Sequence, residues 1–180
     1  MLLWQPCALL LQCSLSCAII ELPEISGREV LTMKILRALT TAHRAGAYYV
    51  RIQAMARKYG ITLEQEFDEH DAPDTRYIVI LDGEFPVATS RLYPIDERSV
   101  MLGRIVVLPE YRRRGLGSLC VSEAEKWAAE LGYERAVLES REEKVGFYER
   151  LGYKASPDMI IKGETFTCVH MEKELSQRKD

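Results

Sequence analysis

Residues 111–118 read Tyr111-Arg112-Arg113-Arg114-Gly115-Leu116-Gly117-Ser118. Three arginines stand directly before two glycines spaced by one residue. The residues before them, 100–108, are mostly apolar and suit a strand. After them Leu116, Leu119, Cys120, Ala124, Trp127, Ala128 and Leu131 recur at helical spacing until Gly132. The glycine turn therefore joins a strand to a helix. The first N–H groups of a helix have no internal partner and carry the positive end of its dipole. With glycine beneath them, an anion reaches the backbone without meeting a Cβ atom, and Arg112, Arg113 and Arg114 add charge around the same point. The turn reads as a cradle for a pyrophosphate.

Outward from the cradle, the pattern describes one layered domain. Residues 77–81, a breaker at Asp82-Gly83, residues 87–93 and residues 100–108 predict a three-stranded meander, with Pro86 at the start of its strand. Upstream, residues 34–39 suit a strand, residues 41–59 a helix stopped by Gly60, and residues 63–67 a short acidic helix. Downstream, residues 136–138 predict a short strand, residues 145–151 a short helix ended by Gly152, and residues 166–171 a last strand before a charged, frayed tail.

Composition narrows the function classes. The 180 residues, 47% hydrophobic and 28% charged, bury one core and are short for two. A net charge of −3 argues against a surface built to hold nucleic acid. Cys7, Cys13, Cys17, Cys120 and Cys168 form no CxxC pair, so no metal site is expected, and the chain reads as reduced and cytoplasmic. Residues 2–20 carry no charge, yet Pro6, Gln5, Gln12, Ser14 and Ser16 interrupt them and no Lys or Arg precedes them. They make a weak membrane helix and a weak signal peptide. A third reading starts translation at Met33, so that residues 1–32 are an N-terminal extension, 33–175 the domain and 176–180 a charged tail.

The identity of the cradle can be narrowed by elimination. A Walker A loop ends in Gly-Lys-Ser/Thr, which is absent; a dinucleotide fingerprint has a third glycine where this chain has Cys120. What remains is Arg112-x-x-Gly115-x-Gly117, led in by Val106-Val107-Leu108-Pro109-Glu110-Tyr111. In this the sequence resembles the GCN5-related N-acetyltransferases, whose hallmark is Arg/Gln-x-x-Gly-x-Gly/Ala between a strand and a helix. Gly146-Phe147-Tyr148-Glu149-Arg150-Leu151-Gly152-Tyr153 is similar to that family's second signature. The resemblance covers roughly residues 33–175 and leaves the N-terminal segment unmatched.

The resemblance implies an α/β (α+β) fold with a mixed, mostly antiparallel central sheet flanked by helices. It implies an enzyme that moves an acetyl group from acetyl-CoA to the primary amine of an unidentified small-molecule or peptide acceptor, by direct attack and with no metal. The pyrophosphate would rest on the backbone N–H groups of Arg113, Arg114, Gly115, Leu116, Gly117 and Ser118. The pantetheine arm would run beside Ile105, Val106 and Val107 as an added strand, with an amide near Val107 facing the thioester oxygen. Tyr148 would return a proton to the departing thiolate, although its spacing with Val145 and Leu151 equally suits a core aromatic. No acid lies in 101–107, where many relatives place the glutamate that deprotonates the amine; Glu139 and His170 are the substitutes. The acceptor pocket is expected around Tyr48, Tyr49, Arg51 and residues 94–98. A homodimer is compatible with all of this, and a membrane or nucleic-acid partner is not expected. The competing reading is a module of the same fold that binds acyl-CoA without turnover, as a sensor or scaffold.

Overall fold

Apolar residues at two periods, alternate in strands and three-to-four apart in helices, require a sheet with helices on both faces. The computed structural model, which describes residues 17–21, 32–162 and 167–176, has this form. Among the described residues, eight strands make one sheet in the order β1-β2-β3-β4-β5-β6-β8-β7. They are β1 (Cys17–Glu21), β2 (Thr32–Arg37), β3 (Arg76–Asp82), β4 (Phe85–Pro94), β5 (Ser99–Val107), β6 (Arg135–Arg141), β7 (Lys154–Lys162) and β8 (Thr167–Glu174). Every neighbouring pair is antiparallel except β5 with β6. The mixed, mostly antiparallel sheet expected from the sequence is the sheet observed.

Two helical layers cover it. Helix α1 (Thr41–Arg51) begins at Thr40, whose hydroxyl accepts from the His43 N–H. It continues through a π-turn (Ile52–Ala56) into α2 (Arg57–Tyr59), and Gly60 in the left-handed region (φ 67°) ends it. Ala47 packs on Tyr77 and Val79, and Val50 and Ala54 pack on Val106 and Leu108. A capping box of Thr62 and Gln65 starts the four-residue α3 (Leu63–Glu66). On the opposite face α4 (Leu116–Glu130) buries Leu116, Cys120, Val121, Ala124, Trp127 and Ala128 against Ile78, Ile80, Leu92, Leu102 and Leu138. The short α5 (Val145–Glu149) packs beside it at the β6–β7 end.

Three local differences from the sequence reading have physical causes. The strand β7 was not expected, because Lys154-Ala155-Ser156-Pro157-Asp158 has poor strand propensity. It forms at the sheet's outer edge, where a proline is tolerated, and its register slips between Ser156 and Ile160. The segment 172–174 belongs to β8, and Leu175 is buried with its N–H on the Glu134 carbonyl at 2.7 Å, so these residues are not frayed. Residues 17–20, the end of the uncharged N-terminal run, together with Glu21 pair antiparallel with β2. The rest of that run, and the tail 177–180, lie outside the described residues.

Candidate active site

The site grows out of an irregularity in β5. Thr89 pairs with Val106, but Arg91 pairs with Gly103, so Arg104 and Ile105 together face a single residue, Ser90. Arg104 takes φ 49° to make this bulge. The bulge inverts the alternation beyond it: Val106 and Leu108 turn toward α1, and Ile105 and Val107 toward the α4 core. It also sets which amides are free of the ladder. Leu108 N–H donates to the Val87 carbonyl at 2.9 Å. By antiparallel alternation, Val106 bonds β4 while the N–H groups of Val107 and Ile105 point away from it.

On that far side β6 has left. It pairs with β5 only at Ser99–Arg135, Val100–Ala136 and Met101–Val137. Beyond this last rung the two parallel strands part, and β5 presents an open edge of amides toward the gap. An extended chain could add to this edge as a strand would.

At the end of β5 the chain makes a 3₁₀ turn (Pro109–Tyr111), then passes Arg113 at φ 61° and Gly115 at φ 78° before entering α4. Gly115 is the N-cap and carries no side-chain cap; the Leu119 N–H donates to the Gly115 carbonyl at 3.0 Å. The amides of Leu116, Gly117 and Ser118 thus come before the first intrahelical bond and face outward. The alternating left-handed residues turn successive N–H groups to one side, the geometry of an anion nest. The residues present fit a diphosphate at this point.

The three arginines do not act alike. Arg112 Nε donates to the Val107 carbonyl at 3.1 Å, and Arg114 Nη2 to the Glu110 carbonyl at 3.1 Å while its guanidinium lies 5.0 Å over the Tyr111 ring. Both brace the loop. Arg113 is exposed. Leu116 is buried in the core, so only its amide faces the cradle. Tyr111 itself is fastened to Asp82 through its hydroxyl at 2.9 Å.

Helix α5 closes the cradle's flank. A Cβ built on Gly117 would meet the Phe147 ring at 3.5 Å and a Val107 methyl at 4.0 Å, so these three residues bound one narrow corridor. Tyr148 lies next to Phe147, 4.9 Å between ring centroids. It packs against the α4-side core, as its spacing allowed. Burial pushes its phenol up to about 12, and the neighbouring Cys120 and Cys168 act in the same direction. It is therefore a protonated donor at neutral pH.

On the other face of the sheet, Glu139 is exposed although β6 is an interior strand, and His170 stands opposite it in the β6–β8 register. The expected pocket of Tyr48, Tyr49, Arg51 and residues 94–98 does not assemble. Arg51 is wholly buried, with Nε on Glu66 at 2.7 Å and Nη1 on Asp71 at 2.5 Å. Tyr48 stacks edge-on against Phe67 and Tyr77, and Tyr49 against Phe85. Arg98 pairs with Glu134 just before β6, away from the parted strands.

Residues 37–153 match the Acetyltransferase (GNAT) family. The chain belongs to the GNAT acetyltransferase family. The uncharacterized N-acetyltransferase YjcF of Bacillus subtilis is 31% identical over 122 residues, which is 68% of this chain and 86% of YjcF. A crystal structure from Lactobacillus plantarum superposes with TM-score 0.74 at 29% identity, covering 80% of this chain and 99% of that one. An aminoglycoside 6'-N-acetyltransferase solved with coenzyme A shares the fold, with TM-score 0.62 at 19% identity over 81% of this chain and 99% of that one. As a GNAT enzyme the protein is an acyltransferase, with N-acetyl transfer as its class of reaction. In this fold Gly117 of the nest, Val107 of the open β5 edge and Phe147 come together, with Tyr148 beside Phe147.

The sequence did not single out the acidic loop 67–75, and of the loop's partners it placed Arg51 in the acceptor pocket. Asp68 accepts from Arg91 Nη1 at 2.6 Å and from Arg104 Nη2 at 3.0 Å; Asp71 accepts from Arg51 and from the Tyr77 hydroxyl, each at 2.5 Å. Burial opposes ionisation of both carboxyls, yet the guanidiniums and the Tyr77 hydroxyl hold them below the usual carboxylate range. The only signal in the sequence was the run of acids itself, which reads equally well as a solvated face.

Proposed function

We propose that the protein transfers the acetyl group of acetyl-CoA to a primary amine by direct attack. The observation that carries this reading is the junction of two features: uncapped amides at the start of α4 and, one strand-length back, β5 amides stripped of their parallel neighbour. The first supports binding of a diphosphate, through the N–H groups of residues 113–118. The second supports binding of an extended, amide-bearing arm beside Ile105, Val106 and Val107. A thioester laid along it exposes its carbonyl oxygen to a β5 N–H, of Val107 or Ile105, which stabilises the charge that builds there.

The remaining roles follow from position. Holding amine and thioester together in near-attack geometry supplies several kcal/mol of barrier lowering. Tyr148, neutral and beside the gap, gives its proton to the leaving sulfur. Glu139, exposed on the sheet floor, draws an ammonium group toward the parted strands. The acceptor is an amine small or extended enough to enter there, and the setting proposed is cytoplasmic.

Free-thiol release from acetyl-CoA, measured over spermidine, L-lysine, tryptamine and an alanine-initiated peptide, tests the proposal. Turnover with at least one acceptor is expected. Tight CoA binding with no thiol release for any acceptor would overturn it in favour of a non-catalytic acyl-CoA sensor.

A further inference from the structure

The loop 67–75 is held to the sheet more firmly than a surface connection needs. Besides the bonds of Asp68 and Asp71 already described, Arg91 reaches Asp71 at 2.9 Å and the Asp68 N–H donates to Asp71 at 3.0 Å. Centred among these anchors is His70. Its N–H donates to Asp68 Oδ1 at 3.0 Å, and its carbonyl accepts from the Thr75 hydroxyl at 2.5 Å. Its imidazole lies flat on the Tyr93 ring, 4.1 Å between centroids and 9° between planes. Yet the side chain remains 45% exposed. Both sides of the backbone and one face of the ring are fixed, while the ring edge is half-exposed, with Nε2 3.8 Å from the exposed Glu69 carboxylate.

The position of that ring relates it to the gap. Tyr93 is the cross-strand partner of Met101, and Met101 forms with Val137 the last rung before β5 and β6 part. The next residue of β6 on this face is Glu139, whose charge is felt by the Tyr93 phenol together with those of Arg91, Asp68 and Arg104. His70 therefore lies over β4 on the α1 side, one strand from the rung at which β5 and β6 part, with Tyr148 on the α4 side. A transfer between an amine and a thioester needs a proton acceptor at the nitrogen and a proton donor at the sulfur. The sheet puts one such group on each of its faces.

Resting on the acetyl-transfer reading above, we propose that His70 is the general base of the reaction. The acceptor arrives as an ammonium ion and gives one proton to an imidazole nitrogen of His70. The freed lone pair attacks the thioester carbonyl carbon, the C–S bond breaks with its electron pair going to sulfur, and Tyr148 protonates the thiolate. The second proton lost by the nitrogen restores the Tyr148 hydroxyl, and His70 releases its own to solvent through its exposed edge. Net, one ammonium and one thioester become one amide, one thiol and one proton. Asp68, Arg91 and Arg104 are positioning residues that hold the loop and hence the ring. Imidazole suits this task because its unprotonated ring nitrogen accepts a proton and the other nitrogen can hand one on.

The test compares the parent with His70→Phe, which keeps the aromatic stack on Tyr93, and His70→Ala, which vacates it. The assay is thiol release from acetyl-CoA with the fastest acceptor of the four-amine panel. Both variants should lose about 100-fold in turnover or more, while their melting temperatures and their thermal stabilisation by CoA stay at the parent's values. Added imidazole should restore part of the activity of His70→Ala and none of that of His70→Phe. Turnover of His70→Phe within a few-fold of the parent overturns the assignment and leaves acetyl transfer standing. Absence of turnover in the parent with every amine removes the acetyl-transfer reading and this assignment with it.

Discussion

Replacing Gly117 by valine separates the cradle's role in binding from its role in the fold. Gly117 is the second residue of α4, and its φ is not in the left-handed region, so a side chain is no backbone strain there. Within a helix, valine is also somewhat better than glycine on propensity. A Cβ would sit 3.5 Å from Phe147 and 4.0 Å from Val107, ordinary contacts, so only the γ-methyls press on the Phe147 ring. Such overpacking costs about 1–3 kcal/mol and is reduced if the ring swings aside. The free protein should therefore stay folded with a modest drop in stability.

Binding should respond differently, because the same methyls fill the corridor by which a diphosphate reaches the α4 amides. Losing charge-assisted bonds to two such amides removes about 3 kcal/mol, at about 1.5 kcal/mol each at the low end. That weakens the CoA Kd by more than about 100-fold. Take CoA at 100 times the parent Kd, where the parent gains about 2.7 kcal/mol; a Kd 100-fold weaker leaves about 0.4 kcal/mol. For a domain of this size a kcal/mol is worth about 2–4 °C. Differential scanning fluorimetry with CoA should thus show a parent shift of about 5–11 °C falling to about 2 °C or less. A folded Gly117→Val protein with the parent's CoA shift would refute the claim that these amides hold the diphosphate.

Three other perturbations probe different parts of the molecule. Tyr148→Phe should lower turnover at least tenfold, within the range expected for a lost acid, with CoA affinity unchanged; turnover equal to the parent would show the phenol to be core packing alone. Arg51→Met leaves Glu66 and Asp71 buried without their guanidinium, which should cost about 3–5 kcal/mol and lower the melting temperature by about 10 °C; calorimetry showing a loss below about 2 °C would remove the network from the fold's support. Asp71→Asn tests linkage. The Asp71 pKa is depressed on folding, so its contribution is fully present above the unfolded carboxylate range near 4 and is lost as pH falls below it. The asparagine variant should be less stable at pH 7 and should show a shallower fall in melting temperature on acidification below about pH 4. An acid limb as steep as the parent's would show that the carboxylate carries no such linkage.

How much of this was legible in the sequence depended on how far apart the interacting residues lie. The backbone of the strand–turn–helix at residues 100–131 was readable because its parts are consecutive and each obeys a local rule: apolar run, a glycine where a left-handed N-cap is needed, then a helical stripe ended by Gly132; that Arg112 and Arg114 brace the loop was not. The meander β3–β5 was readable for the same reason. Strand β7 was not, since residues of low strand propensity are held there by β8 alone and at an edge that forgives Pro157. Arg51 was misplaced in the acceptor pocket because a solvent-facing arginine and one neutralised by Glu66 and Asp71, 15 and 20 residues on, look alike in one dimension.

His70 shows the limit most clearly. Within Glu66-Phe67-Asp68-Glu69-His70-Asp71 it is one polar residue among five acids and aromatics, and nothing local distinguishes it. Its meaning comes from Arg91 and Arg104, which fix the loop from two different strands, and from Tyr93, which flattens the ring. Arg104 links this arrangement to the chemistry. The bulge that gives it φ 49° both aims its guanidinium at Asp68 and inverts β5 so that Val107 and Ile105 present their amides to the gap. One backbone irregularity thus sets both the open β5 edge and the loop that carries His70. Straightening it should therefore disturb both together, whereas removing the Arg104 side chain alone should disturb only the loop.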